Sequence, residues 1–356
     1  MLRQMVECVA EEKPDLFLLC GDVFHTGQPS ASVQTMLSNA LVALHEAHPQ
    51  MTIVSIAGNH DSGSKHDIFQ KPWRALKVFT LGSLQRDRLE EHIIELPGRG
   101  FVVAVPYTYE RNLPEGIFQL LLDKVAERNK EHLPVVMAAH TTVRGCDYTG
   151  HEESIVGGID ALEMEQFGQG YDYLALGHIH RPQYVRNGSR HIRYAGSPLP
   201  VSFDESYSHS VSVVELKAHG DTPQVRCVEI ANPRPLVTLP TSEYASWKEA
   251  KELLKNFPPE IPAYIQLKVA IEDFLPVEAQ SEAVALTSDK ACRFCHILPV
   301  RKEQKGNGDR LMTIQEFQSL QPIDIARQYA EDINLPFSEL METLFKEAAE
   351  EVKNNV

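Results

Sequence analysis

Apolar and polar positions along this chain follow two periods, and each change of period marks the edge of an element. Leu2, Met5, Val6 and Val9 recur at helical spacing, and Lys13-Pro14 ends that helix. The unbroken apolar run Leu16 to Cys20 then predicts a central strand covered on both faces. After Gly27-Gln28-Pro29, the stripe Val33, Met36, Leu37, Ala40, Leu41, Leu44 predicts a second helix, and Met51 to Ala57 a second buried strand. Strands follow at Phe101 to Val105, Val135 to Ala139 and Tyr173 to Leu176, with a helix from Ile117 to Glu131. Tyr184 to Ile192 centres on Asn187-Gly188, a hairpin-turn dipeptide, and Ser210 to Leu216 and Gln224 to Ile230 read as antiparallel strands. This succession predicts a layered α/β fold.

Four of the apolar runs stop on metal-ligand chemistry. They end on Gly21-Asp22-Val23-Phe24-His25, on Gly58-Asn59-His60-Asp61, on His140, and on Gly177-His178-Ile179-His180. In open α/β sheets that edge is where ligands bind. Two divalent ions about 3.5–4 Å apart can hold an attacking water and a phosphate oxygen together, and they need a carboxylate able to bridge them. Asp22 is the candidate bridge; Asn59, His140, His178 and His180 offer one neutral oxygen and three imidazoles. Such a mixed set suits manganese, iron or zinc better than magnesium or calcium. His60, next to Asn59, is placed to act as a general acid, with Asp61 as the carboxylate that orients it. One buried Asp or His is ordinarily structural; four such strand ends in succession point to a metallophosphoesterase.

Composition narrows the setting. At 356 residues and 43% hydrophobic the chain can bury a sizeable core. It has no run of 18 apolar residues and no signal-type apolar core near Met1, and its six scattered cysteines suit free thiols, so a soluble cytoplasmic protein with no membrane role is expected. Net charge is −15. That opposes nucleic-acid binding, which draws on Lys and Arg, unless metal ions, a local basic patch or a partner supply the positive charge.

The motifs Gly21-Asp22-x-x-His25, Gly58-Asn59-His60-Asp61, His140 and Gly177-His178-Ile179-His180 resemble those of the calcineurin-like metallophosphoesterase superfamily. Within it, His140-Thr141-Thr142-Val143, Ala175 to Arg181 and Tyr194-Ala195-Gly196-Ser197-Pro198 look like the SbcD and Mre-type nuclease branch. The resemblance implies an αββα sandwich, two divalent ions, manganese by preference, and DNA exonuclease and endonuclease activity in repair, recombination and replication. It also implies an SbcC-type ATPase as partner, in a heterotetramer that holds a homodimer of this subunit. By motif, Asp22 bridges the ions, Asn59, His140 and His178 complete one, and His180 joins the other. His60 assists the leaving group and His25 positions the phosphate. The family's first motif, an Asp-x-His on the opening strand, does not precede Asp22 in this sequence. The expectation is therefore a misassigned start or a truncated product lacking a few tens of residues, with nuclease activity sharply below that of an upstream-extended version.

The texture changes at Asn232-Pro233-Arg234-Pro235. Residues 1–235 are read as the nuclease domain and 236–310 as a small α+β capping domain, with a helix at Tyr244 to Leu254 and a strand at Tyr264 to Val269. Residues 311–356 are read as C-terminal helices that dock on the partner, with apolar stripes on both sides of Asn334-Leu335-Pro336. Arg181, Arg186, Arg190 and Arg193 are candidate phosphate contacts beside the metal site, with a solvated hairpin face as the alternative. Cys292-x-x-Cys295-His296 matches a haem-attachment pattern and is read as coincidence. No phosphate-loop motif occurs, so ATP dependence would come from another subunit. Two other readings keep the same residues: a phosphodiesterase for small substrates, and a scaffold that has lost catalysis with the first motif.

Overall fold

A computed structural model describes residues 1–149, 161–185, 191–271 and 274–301, and beyond these 323, 327, 337–338 and 341–345. The chain opens with helix α1 (Leu2–Glu12), strand β1 (Leu16–Cys20), helix α2 (Ala31–Ala47) and strand β2 (Thr52–Ile56). Helices α3 (Gly63–Ile68) and α4 (Gln70–Arg74) lead to β3 (Val78–Leu81), β4 (Ile93–Leu96) and β5 (Gly100–Val105). Helix α5 (Ile117–Arg128) is followed by β6 (Val135–His140), β7 (Thr142–Val143), β8 (Ala161–Leu162) and β9 (Tyr173–Gly177). Next come β10 (Gln183–Tyr184), β11 (Ile192–Tyr194), β12 (Ser210–Glu215) and β13 (Gln224–Glu229).

Two sheets face each other. One is parallel, in the order β1-β2-β3; the other has six strands, β10-β11-β9-β6-β5-β4, antiparallel at both edges and parallel between. Strand alternation assigns each side chain to a layer. Val102 and Ala104 of β5 meet Val54, Ile56 and Leu81 between the sheets. Phe101, Val103 and Val105 point the other way, onto Phe118, Leu121 and Val125 of α5. On the far side of the first sheet, Ile53 and Val78 join Val9, Leu41 and Leu44 of α1 and α2. The layers are therefore helix, sheet, sheet, helix: a layered α/β fold, as the apolar runs predict, in the order that the family resemblance implies.

The strand expected at the centre, β1, stands instead at the edge of its sheet, paired only with β2 among the described strands. Its faces are covered, Leu16 and Leu18 by the inter-sheet core and Phe17 and Leu19 by the helices, yet all five residues are only half-buried. An apolar run records covered faces and not the lateral neighbour, so an edge strand with two covered faces reads as central.

Beyond β13, strands β14 (Leu236–Leu239), β15 (Tyr264–Ile271) and β16 (Arg293–Arg301) form a separate sheet with helices α6 (Trp247–Asn256) and α7 (Ala279–Thr287). Its own core joins Ala250, Leu254, Ile265, Leu267, Val269 and Ala283. Helix α6 starts three residues later than its apolar stripe predicts, because Ser246 and Glu249 form a reciprocal capping box. Cys292 is buried while Cys295 is exposed, so the two thiols do not form a pair. Residues Met1–Val300 form one compact unit and Arg301–Val356 a second. In the second, 341–345 are helical and Arg327 pairs with Glu342. The rest of the expected C-terminal helices lies outside the described residues. Among the described residues no helix is long and apolar enough to cross a membrane.

Candidate metal centre

Parallel pairing brings the chemistry to one edge. Cys20 lies beside Ile56 across β1 and β2, and His140 beside Gly177 across β6 and β9, so all four strands release their ligand-bearing loops together. The approach there is too close for side chains. A Cβ on Gly177 would collide with the Cys20 carbonyl and His140 Nδ1. Gly21, at φ +91°, has the His140 ring where a Cβ would stand. Asp22 and His178 themselves take positive φ, +51° and +94°. Non-glycine residues hold such conformations only where their surroundings impose them, commonly at functional sites.

Asp61 supplies much of that constraint. Its Oδ2 accepts from the backbone N–H groups of Val23 (3.1 Å) and Gly58 (2.9 Å), and its Oδ1 from Phe24 N–H (2.9 Å). It thus joins the loop after β1 to the loop after β2. The expectation that Asp61 orients the His60 ring is corrected here: its carboxylate bonds three backbone donors, and His60 Nδ1 donates to the His25 carbonyl at 3.1 Å. Neighbouring side chains on a tight turn diverge, so adjacency in sequence did not become contact. Asp61→Ala would strand three N–H groups, each costing about 1–3 kcal/mol if left unpaired. We expect urea unfolding to show a loss of at least about 2 kcal/mol, and a smaller loss for Asp61→Asn, which keeps one acceptor oxygen.

The His140 side chain is fully buried, and its Nδ1 donates to the Cys20 carbonyl at 2.7 Å. Its lone pair is therefore on Nε2, which faces Asn59 Oδ1 at 3.0 Å and Asp22 Oδ2 at 3.2 Å. Asn59 Oδ1 is also 3.0 Å from His178 Nδ1. Asp22, His140 and His178 each bring one ligand atom within 4.8 Å of the others. A bare imidazole lone pair, an amide oxygen and a carboxylate oxygen this close repel one another, and a cation among them removes that repulsion. The donor set fits a divalent ion with mixed oxygen and nitrogen ligands. Burial opposes ionisation of Asp22, but the His140 ring, which donates from Nε2 when it is protonated, and the His60 N–H, 2.9 Å from Oδ1, outweigh it and hold the carboxyl pKa at about 2. Asp22 is thus an anion at neutral pH.

Around this set, the exposed His25 and His60 rings stack at 5.7 Å. His180 is not one of the three mutually convergent residues and directs Nδ1 to Glu205 Oε1 at 2.8 Å. Glu205 was not singled out from the sequence; it sits in an irregular stretch after Gly196-Ser197-Pro198, where no periodicity marks an inward-facing position. Arg181 pairs with Asp147 at 2.6 Å and lies over the Tyr207 ring. Arg193 is only 6% exposed; it donates to Ser212 Oγ and stacks on Tyr184. That overturns Arg193 as a phosphate contact, because alternate strand residues face opposite ways and this one faces in. Arg186 and Arg190 lie outside the described residues, as does the Asn187-Gly188 turn between the paired strands β10 and β11.

A two-sheet α/β sandwich with an Asp, Asn and two His at one edge is the frame of a metal-dependent phosphoesterase. Residues 1–182 match the calcineurin-like phosphoesterase family, and the chain belongs to it. The family binds divalent metals, and this donor set fits one. The SbcD subunit of the SbcCD nuclease from Rhodobacter capsulatus is 32% identical over 277 residues, 70% of this chain and 67% of that protein. The protein of the same name from Bacillus subtilis is 27% identical over 337 residues, 87% of this chain and 82% of its own length. That of Escherichia coli K12 is 24% identical over 347 residues, 90% and 83%. The resemblance read from the motifs is therefore borne out.

Proposed function

We propose that this chain is the nuclease subunit of an SbcCD-like complex, a manganese-dependent exonuclease and endonuclease that hydrolyses DNA phosphodiesters in repair, recombination and replication. The observation that carries the reading is the convergence of Asp22, Asn59, His140 and His178 on one point at the sheet edge. The three SbcCD relatives support the nuclease assignment over a small-substrate phosphodiesterase, since the likeness extends past the phosphoesterase region into the separate sheet of β14 to β16. An SbcC-type ATPase as partner fits the lack of any phosphate-loop motif in this sequence.

In this reading Asp22, Asn59, His140 and His178 would hold one divalent ion, and Asp22 with His180 would contribute to a second. Bound ions supply Lewis-acid polarisation of the phosphate and a water acidified for attack. The protein's own groups do the rest. Asp22 contributes fixed negative charge and orients the ligand set through the His60 N–H. The His60 ring, anchored by Nδ1–H to the His25 carbonyl, gives a proton from Nε2 to the leaving oxygen and returns to the neutral tautomer that the carbonyl favours. His25 holds that ring by stacking and by its carbonyl. The net charge of −15 makes these local cations necessary for DNA to approach.

The test compares Mn²⁺-dependent hydrolysis of linear duplex DNA with that of a chromogenic phosphodiester. Faster turnover of DNA supports the nuclease reading, and activity on the small ester alone contradicts it. His60→Ala is expected to lower kcat by about 10²–10⁴-fold, the range of one acid–base group, with Mn²⁺ binding retained. Equal losses of binding and rate would make His60 a ligand instead.

A further inference from the structure

The Glu205 side chain has no exposed surface. A buried carboxylate is costly unless paired and hydrogen-bonded, and among the described residues no Lys or Arg pairs with it. Its shortest contact is His180 Nδ1, 2.8 Å from Oε1. Oε2 accepts from Val201 N–H at 3.3 Å and from Ser197 Oγ at 3.5 Å, and His209 Nε2 is 3.5 Å away. The same stretch grips His180 a second time. Ser197 N–H donates to the His180 carbonyl at 2.9 Å, and Gly196 is so close that a Cβ would stand 2.5 Å from that oxygen. His180 is thus held by its main chain and its ring from one segment, residues 196–205.

An ionised carboxylate can only accept, so the proton of the neutral His180 ring is on Nδ1 and its lone pair on Nε2. The Cys20 carbonyl does the same for His140, where Nδ1–H is tied back and Nε2 faces Asp22 and Asn59. Two imidazoles, one at the end of β6 and one in the loop after β9, share one device, with a different oxygen behind each.

We infer that Glu205 is a positioning residue that fixes the His180 tautomer and ring orientation, so that Nε2 is presented as a metal ligand. This rests on the reading of His180 as a ligand, but its test does not need metal. In metal-free, ¹⁵N-labelled protein at a pH where histidine is neutral, long-range ¹H–¹⁵N correlations distinguish the tautomers, with His180→Gln identifying the signal. Wild type should show His180 as Nδ1–H. Glu205→Gln, whose amide oxygen still accepts, should keep that form; Glu205→Leu, with no acceptor, should move the proton to Nε2. His209→Ala removes a neighbour of Glu205 on its other oxygen and should leave the His180 tautomer unchanged, which separates orientation from general packing. The Mn²⁺ concentration for half-maximal hydrolysis should rise about 10–100-fold in Glu205→Leu, the usual cost of losing such a partner, and less in Glu205→Gln.

His180 found as Nε2–H in wild type overturns the inference even if Glu205→Leu does not fold, and so does Nδ1–H persisting in a folded Glu205→Leu. Failure of wild type to bind Mn²⁺ would instead refute the proposed function and leave the tautomer result standing.

Discussion

Asp22→Asn is expected to slow Mn²⁺-dependent phosphodiester hydrolysis by on the order of 10³-fold or more, corresponding to the several kcal/mol of charge stabilisation that bound metal supplies. The substitution removes charge while keeping shape. Asn tolerates the left-handed backbone that Asp22 adopts at φ +51°, and its amide oxygen can still accept the His60 N–H that now reaches Oδ1. Folding should therefore survive, and the loss should appear in rate and metal affinity together. Initial rates on linear duplex DNA, with circular dichroism as the fold control, check this. A folded Asp22→Asn protein with near wild-type rate would remove Asp22 from the chemistry.

Gly177→Ala is expected to be among the most damaging methyl additions at the described glycines. The new Cβ would meet the Cys20 carbonyl and the His140 ring at once, both fixed by their mutual hydrogen bond. Neither can retreat without breaking the bond that sets the His140 tautomer or the pairing of β6 with β9. Overpacking in a rigid setting costs about 1–3 kcal/mol and sometimes more, and we expect about 3 kcal/mol here from urea denaturation, with Mn²⁺ binding weakened in whatever remains folded. Gly98→Ala is the control. It has positive φ, +67°, but nothing within 4 Å of an added Cβ, so only backbone strain of about 1–2 kcal/mol applies. Similar losses for the two would show that the crowding at Gly177 relaxes freely.

The layers and the ligand set were legible because both follow from short-range rules. Apolar runs become strands, and parallel strands deliver their C-terminal ends to one edge, so Asp22, Asn59, His140 and His178 could be read as neighbours before any fold was known. Elements without strong periodicity were not: β3 and β4 are four residues each, too short to show a pattern. Helix α5 stops at Arg128, before its predicted end, because the Asn129 side chain bonds both the N–H and the carbonyl of Leu133 and turns the chain. Long-range partners were the hardest to foresee. Asp61 bonds backbone groups up to 38 residues away, and Glu205 reaches back 25 residues to His180. A side chain's type announces that it will bond something, while the fold decides what. Arg193 shows the converse, a charge that clusters in sequence with other arginines yet faces inward onto Tyr184 and Ser212.

The proposed hydrolysis depends on a divalent ion held among Asp22, Asn59, His140 and His178. Anomalous diffraction from crystals grown with Mn²⁺, collected on both sides of the manganese edge, would locate it. A manganese-specific peak is expected within coordination distance of an Asp22 carboxylate oxygen, Asn59 Oδ1, His140 Nε2 and a His178 ring nitrogen, with no such peak in Asp22→Asn. Manganese bound elsewhere, with no peak among these four side chains, would refute the assignment.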